Sequence, residues 1–289
     1  MQIDEIQRNV ATALAEDIGG GDLTAQLIPS NAMVTAQVIS REPAILCGSA
    51  WFETCFHQLS SHIAIHWFIN DGDVLQSNQI LCEIEGNARV ILTAERSALN
   101  FLQLLSAVAT QTYQYVKAIE GTRSVIVDTR KTLPGLRYAE KYAVRCGGGT
   151  NHRIGLYDGI LIKENHIIAS GSIEQALNNA RRIASKNTMI EIEVETLDQM
   201  RQALSAGATM ILLDNFELGT MHEAVALNQQ WPHQPAILEA SGNITLANIR
   251  SVAETGVDRI SIGSLTKNIK AIDLSMRFLS KLPSEAFKL

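Results

Sequence analysis

The 289-residue sequence predicts an α/β protein: an incomplete parallel β/α barrel of about six strands, preceded by an N-terminal α+β, sandwich-like domain. Three observations carry this reading. Six short apolar runs recur through the second half: SVIVDT, GILIKEN, MIEIEVE, MILLDN, AILEASG and RISIGS. Helix-like segments such as IEQALNNARRIAS, LDQMRQALSAG and TLANIRSVAETG lie between most of them. Apolar strands alternating with helices indicate a parallel sheet covered on both faces. Third, every run ends in polar residues: Asp128-Thr129-Arg130-Lys131, Lys163, Glu193, Asp214, Glu239-Ala240-Ser241 and Gly263-Ser264. An open doubly wound sheet would concentrate such residues at one switch point, whereas a barrel spreads them round its C-terminal rim. Six runs fall short of the eight strands of a full barrel.

Taken in order, the chain opens with Ile3, Ile6, Val10 and Leu14 at helical spacing, so an amphipathic helix is expected, stopped by Gly19-Gly20-Gly21. From Met33 to Leu92 the signals are short β runs, MVTAQVIS, AILCG, IAIHWFI, ILCEIEG and ARVIL, separated by turn pairs such as Asp71-Gly72. They predict a small antiparallel or mixed sheet with a covering helix from about Ala50 to Leu59. A long helix follows, with Thr93 as N-cap, an apolar stripe of Leu99, Leu102, Leu105 and Val108, a break near Ser106 and a stop at Gly121. Arg96 is expected in its first turn. The predicted division is 1–121 for the N-terminal domain and its helix, 122–272 for the barrel, and 273–289 for a C-terminal segment packing back on the N-terminal domain.

The totals narrow the function classes. A formal net charge of −6 argues against nucleic acid as the main partner. No apolar run is long enough to span a bilayer, and the N-terminus lacks a signal-peptide core, so a cytoplasmic protein with no membrane partner is expected. Cys47, Cys55, Cys82 and Cys146 form no C-x-x-C pair and read as free thiols. His62 and His66 share a face of a strand-like run, a poor case for a metal pair.

Against this acidic background, Asp128 to His166 carries seven Lys/Arg and four Asp/Glu. Its cations are interleaved with Pro134-Gly135, the triplet Gly147 to Gly149, Asn, His and Thr, rather than with Glu at helical spacing. Turns of this kind aim backbone N–H groups at anions, so the stretch predicts a pocket for a ligand with several negative charges. Ser241-Gly242-Asn243 and Gly263-Ser264, each followed by helix-like sequence, are natural phosphate seats.

TRKTLPGLRYAEKYAV followed by GGGTNHRIGLYDGILIKENHI resembles the quinolinate phosphoribosyltransferase family. ALAEDIGGGDLT and ERSALNFLQLLSAVAT are similar to two further motifs of the family, with Ala107 standing where a glycine is usual. The resemblance implies an enzyme that joins quinolinate to 5-phosphoribosyl-1-pyrophosphate (PRPP), releases pyrophosphate and CO2, and forms nicotinate mononucleotide for NAD synthesis. It implies substrate contacts from Thr129, Arg130, Lys131, His152, Arg153, Lys163, Glu193 and Asp214. It assigns Ser241, Gly242, Asn243, Ile262, Gly263 and Ser264 to the 5-phosphate, with Lys267 close to a position where some relatives carry histidine. It implies Mg²⁺ at Glu193 and Asp214, directly or through water, and Lys131, Lys163, Glu193 and Asp214 as the catalytic set. It also implies a homodimer in which Arg96 enters the partner's site. Glu191 faces the same side of its strand as Glu193, so alternation alone does not choose between them. Rival readings are a Schiff-base aldolase using Lys163, a related pyrophosphorylase with another ring substrate, and a non-catalytic phosphosugar binder. A nucleophilic role for Cys146 finds no histidine placed to activate it.

Overall fold

The amphipathic opening forms α1 (Ile3–Ile18), which buries Ile6, Val10 and Leu14 and ends at Gly19 in the left-handed region. The structure is a computed structural model, and it describes residues 3–279. It separates into two units: one holds the described residues up to Gln111, Leu133–Gly148 and those from Asn268 on, and the other holds Thr112–Thr132 and Gly149–Lys267.

In the first unit β1 (Met33–Ser40) and β2 (Ala44–Ile45) lead into α2 (Ser49–Leu59), then β3 (Ala64–Trp67), β4 (Val74–Leu75) and β5 (Ile80–Asn87). β5 runs antiparallel to both β1 and β3, while β2 and β4 form a separate pair. His62 lies in the turn before β3.

The long helix α3 spans Ala88–Ala118 and corrects four expectations. ARVIL is its first turn, not a strand, because the Asn87 side chain accepts N–H bonds from Arg89 and Val90 and starts the helix there. Thr93 therefore lies inside the helix, and Arg96 in its third turn rather than its first. No break occurs near Ser106, whose hydroxyl instead satisfies the backbone of Cys47, accepting its N–H and donating to its C=O. The expected stripe is the buried one: Leu99, Leu102, Leu105 and Val108 are each at most 1% exposed.

After β6 (Val125–Val127) the chain forms α4 (Arg137–Cys146), which belongs to the first unit. This splits the basic stretch. Arg137, Lys141 and Arg145 follow helical i, i+4 spacing and sit on α4, a helix where turns were expected. The second unit continues through β7 (Gly159–Ile162), α5 (Glu164–Ser170), α6 (Ile173–Ile183), β8 (Met189–Val194), α7 (Leu197–Ser205), β9 (Met210–Asp214), α8 (Leu218–Gln229), β10 (Ile237–Ser241), α9 (Ile249–Glu254), β11 (Arg259–Ser261) and α10 (Ser264–Lys267). β12 (Leu274–Phe278) returns to the first unit and pairs antiparallel with β1, completing the order β12-β1-β5-β3; residues 280–289 of the expected C-terminal segment lie outside the described residues.

All six predicted strands of the second half form one parallel sheet in the order β6-β11-β10-β9-β8-β7. That is the chain order closed through β6–β11 and left open between β6 and β7, the incomplete barrel expected. Register sorts the side chains. Ile192, Ile211 and Leu238 stand in one row, as do Ala240, Ile260 and Ile126, on the face that packs against helices. The alternate row runs Glu193, Leu212, Glu239, Arg259, with Asp214 beside Ser241 two residues on. Period-two alternation thus directs the polar strand-end residues to the opposite, inner face. Among the described residues no helix is long and apolar enough to cross a membrane.

Because Leu102 has no exposed surface, Leu102→Ala leaves a cavity under α3. It is expected to destabilise the protein by about 2–5 kcal/mol, read by urea unfolding.

Candidate active site

Two charge clusters stand at the carboxyl ends of the second unit's strands. In the first, Lys163 Nζ lies 2.5 Å from Glu193 Oε2. Lys163 is the residue before α5, and its backbone N–H donates to His166 Nδ1 at 2.9 Å, which fixes the lysine's starting point. On the adjacent strand Asp214 is held above the ordinary carboxylate range, chiefly by burial and next by the Glu193 charge, with Lys163 and Lys131 opposing. Lys131, Lys163, Glu193 and Asp214 are therefore within electrostatic reach of one another.

Asp214 has a neighbour that the motifs did not flag. Asn215, itself in the left-handed region, donates from Nδ2 to Asp214 Oδ2 at 2.9 Å and accepts from Asn243 Nδ2 at 3.3 Å. Its backbone N–H bonds the Ser241 carbonyl. A Cβ on Gly242 would lie 2.1 Å from Asn215 Oδ1, so only glycine allows this approach. Ser241, Gly242 and Asn243 are thereby tied to the Asp214 strand end.

Across the sheet, Thr129 Oγ1 accepts the Lys131 N–H, and the Lys131 carbonyl accepts from Thr266 Oγ1 at 2.7 Å. A Cβ on Gly263 would meet Lys131 Cδ at 2.8 Å and Thr129 Oγ1 at 3.5 Å. The loop Ile262-Gly263-Ser264 thus lies against the Thr129–Lys131 turn. The Ser264 hydroxyl oxygen is buried and finds no hydrogen-bond partner among the described residues. An orphan donor of this kind suits an anion's oxygen.

The second cluster holds Arg130, His152 and Arg153. Asp128 is wholly buried and accepts from Asn151 Nδ2 at 2.5 Å and from the His152 N–H at 2.9 Å, joining the end of β6 to residues 151–152. The Arg153 guanidinium donates to the Gly159 carbonyl at 2.9 Å. Burial, and then the charge of Arg130, lower its pKa. Two guanidinium groups within reach of each other form a socket for negative charge.

Alternation leaves Glu191 and Glu193 on one face, yet their surroundings differ. Glu193 retains a 14% exposed side chain and pairs with Lys163. Glu191 is wholly buried, its Oε2 2.7 Å from His152 Nε2. Glu239, also wholly buried, has Oε1 3.7 Å from the same nitrogen and Oε2 3.0 Å from Arg259 Nε. Burial and the Glu191 charge push the Glu239 carboxyl up to about 7. Arg96 lies in the first unit, lining a cleft of about 160 Å³ with α1 residues Ala13, Glu16 and Asp17 and with Leu136. Cys146 is also in the first unit, with Cys47 and Asp71 beside it.

The family profile described as "Quinolinate phosphoribosyl transferase, C-terminal domain" matches residues 108–277, and its N-terminal counterpart matches residues 22–106. The chain belongs to the quinolinate phosphoribosyltransferase family. The resemblance read from TRKT, NHR and the flanking residues is borne out. A probable nicotinate-nucleotide pyrophosphorylase (carboxylating) of Bacillus subtilis is 43% identical over 263 residues, covering 90% of this chain and 89% of that protein. The nicotinate-nucleotide pyrophosphorylase (carboxylating) of Mycobacterium leprae is 38% identical, covering 95% and 98%. The solved nicotinate-nucleotide pyrophosphorylase of Francisella tularensis superposes with a TM-score of 0.92 at 46% identity, covering 96% of this chain and 97% of that one.

Glu239 provides a pH test of the cluster. Its folded pKa, about 7, exceeds the ordinary 4.5, so the stability it contributes is present below about pH 4.5 and lost as pH rises through 7. Relative to Glu239→Gln, the wild type is expected to lose melting temperature between pH 5 and pH 8; parallel curves would contradict the burial argument.

Proposed function

We propose that this chain transfers the phosphoribosyl group of PRPP to quinolinate, releasing pyrophosphate and CO2 and forming nicotinate mononucleotide. The observation that carries the reading is the pair of opposed charge clusters on one sheet rim. Arg130 and Arg153 form a socket suited to a dicarboxylate, and Lys131, Lys163, Glu193 and Asp214 a set suited to a pyrophosphorylated sugar. Guanidinium forks match carboxylates in geometry as well as charge.

In this reading Arg130, Arg153 and Lys163 grip the two adjacent ring carboxylates, joined by Arg96 from the neighbouring subunit of a homodimer. Ser241-Gly242-Asn243 and Ile262-Gly263-Ser264 seat the 5-phosphate, with the buried Ser264 hydroxyl as one donor. Lys131 and Lys163 balance the pyrophosphate. Glu193 and Asp214 face the ribose, where positive charge builds at C1 as pyrophosphate departs, and fixed carboxylates stabilise it. The ring nitrogen makes the new bond to C1, so no side-chain nucleophile is required. The quaternised ring then takes up the electron pair released as its 2-carboxylate leaves as CO2, and a proton replaces it.

The donor set also suits Mg²⁺, an ion held by one or two carboxylates plus phosphate and water. The support is that burial, and next the Glu193 charge, raise the pKa of Asp214, a repulsion that a shared cation would relieve. Bound there, directly or through water, Mg²⁺ would offset the charge of the departing pyrophosphate. The aldolase alternative is not favoured: Lys163 is close-paired with a carboxylate and about half exposed, whereas a Schiff-base lysine is set in an apolar or cationic pocket.

The deciding assay supplies quinolinate, PRPP and Mg²⁺ and follows nicotinate mononucleotide and CO2, with nicotinate as control substrate. Turnover of quinolinate alone is expected; no turnover with PRPP binding intact would overturn the substrate. In the same assay Arg153→Ala should raise the quinolinate KM roughly 10- to 150-fold, the equivalent of about 1.5–3 kcal/mol for a charged hydrogen bond, and leave the PRPP KM unchanged. For the shared site, inactive Arg96→Ala and inactive Lys163→Ala should regain activity when mixed under subunit exchange. No recovery would place Arg96 outside its partner's site.

A further inference from the structure

His152 is the site residue whose ring is most completely occupied by the protein itself. Nε2 lies 2.7 Å from Glu191 Oε2, and Nδ1 accepts the backbone N–H of Arg153 at 2.8 Å. A backbone N–H can only donate, so Nδ1 must present its lone pair. The ring proton then sits on Nε2 and is donated to Glu191. Both nitrogens are spent, the residue is only 8% exposed, and its own N–H is held by Asp128. Glu239 flanks Nε2 and is in turn paired with Arg259.

We infer that His152 is a positioning residue that anchors the main chain of Arg153 through Nδ1, its ring fixed by Glu191 and Glu239, rather than a ligand of the substrate. The inference rests on the dicarboxylate reading of Arg153. Its physical need is plain. Arg130 and Arg153 repel, and without fixed points the Arg153 guanidinium would swing towards solvent. One fixed point is the Gly159 carbonyl on Nη1; the other is the imidazole on the backbone N–H. His152, Glu191 and Glu239 also bring ligand atoms within 4.8 Å of one another, as a metal site would. A cation there would displace the Nε2 proton and stand beside the Arg259 guanidinium, so the proton is the better occupant.

Three substitutions separate the roles. Asparagine can place an amide oxygen where Nδ1 lies, glutamine can place its amide where Nε2 lies, and alanine keeps neither. His152→Ala should raise the quinolinate KM about tenfold, as for the loss of one neutral hydrogen bond, with the PRPP KM unchanged. His152→Asn should restore most of that loss and His152→Gln should not. Rescue by Gln and not Asn, or equal damage by Ala and Asn in folded protein, would overturn the inference. ¹⁵N NMR of histidine-labelled wild type should show one protonated and one bare ring nitrogen for His152, unmoved by quinolinate. Two protonated nitrogens, or a shift of Nδ1 on adding quinolinate, would also overturn it. The spectrum of the free protein needs no turnover, so the failure of this inference is distinguishable from failure of the quinolinate reading, which shows as an inactive wild type.

Discussion

A carboxylate on the inner face of a parallel sheet must find a partner or hold its proton, and the second unit sets four of them there: Glu191, Glu193, Asp214 and Glu239. Leaving a buried charge unpaired costs far more than a typical net hydrogen bond contributes. Each of the four is accordingly met: Glu191 by His152, Glu193 by Lys163, Asp214 by Asn215, and Glu239 by Arg259. These pairings fix where the cations stand. The site's geometry is therefore a consequence of how the sheet accommodates its acids.

The arrangement is graded from the core outward. Glu191 and Glu239 have no exposed surface, and burial first, then the Glu191 charge, push the Glu239 carboxyl up to about 7. Closer to the rim, Asp214 is raised in the same sense, first by burial and then by the Glu193 charge. Arg130 and Arg153 show the same tension with the opposite sign. Like charges gathered at a rim are unfavourable in the free protein and favourable once a counter-ion arrives. On the proposed function, the binding energy of a charged substrate would relieve repulsion already built into the scaffold.

Much of this was legible in the sequence, because the second half obeys strong local rules. Six apolar runs with polar ends gave six strands with those ends on one rim. The period of two put Glu191 and Glu193 on one side but could not separate them; only the long-range meeting with His152, 39 residues away, does so. Asn215 escaped notice because its role is set by Gly242 and Asn243 in the loop after the next strand, contacts with no sequence spacing. The start of α3 was missed because ARVIL is as good a strand as a helix turn by pattern, and the Asn87 cap decided it. α4 was hidden by the glycines on either side, although Arg137, Lys141 and Arg145 carried its i, i+4 spacing.

The same geometry explains why a reaction that breaks a carbon–oxygen bond to pyrophosphate needs no reactive side chain here. Lys163, the amine of the aldolase reading, is close-paired with Glu193 and about half exposed, not set apart in an apolar pocket. Cys146 has its thiol pKa lowered, first by the Cys47 hydrogen bond, but it lies in the first unit beside Cys47, Asp71 and Tyr142, with no histidine among those neighbours. What the sheet rim offers is charge of both signs, held in place by buried partners. A leaving group that departs as an anion and a sugar carbon that becomes cationic ask for that and little else. Nucleophilicity is left to the ring nitrogen of the substrate, and the protein's part is to hold the two reactants in register while the charges separate.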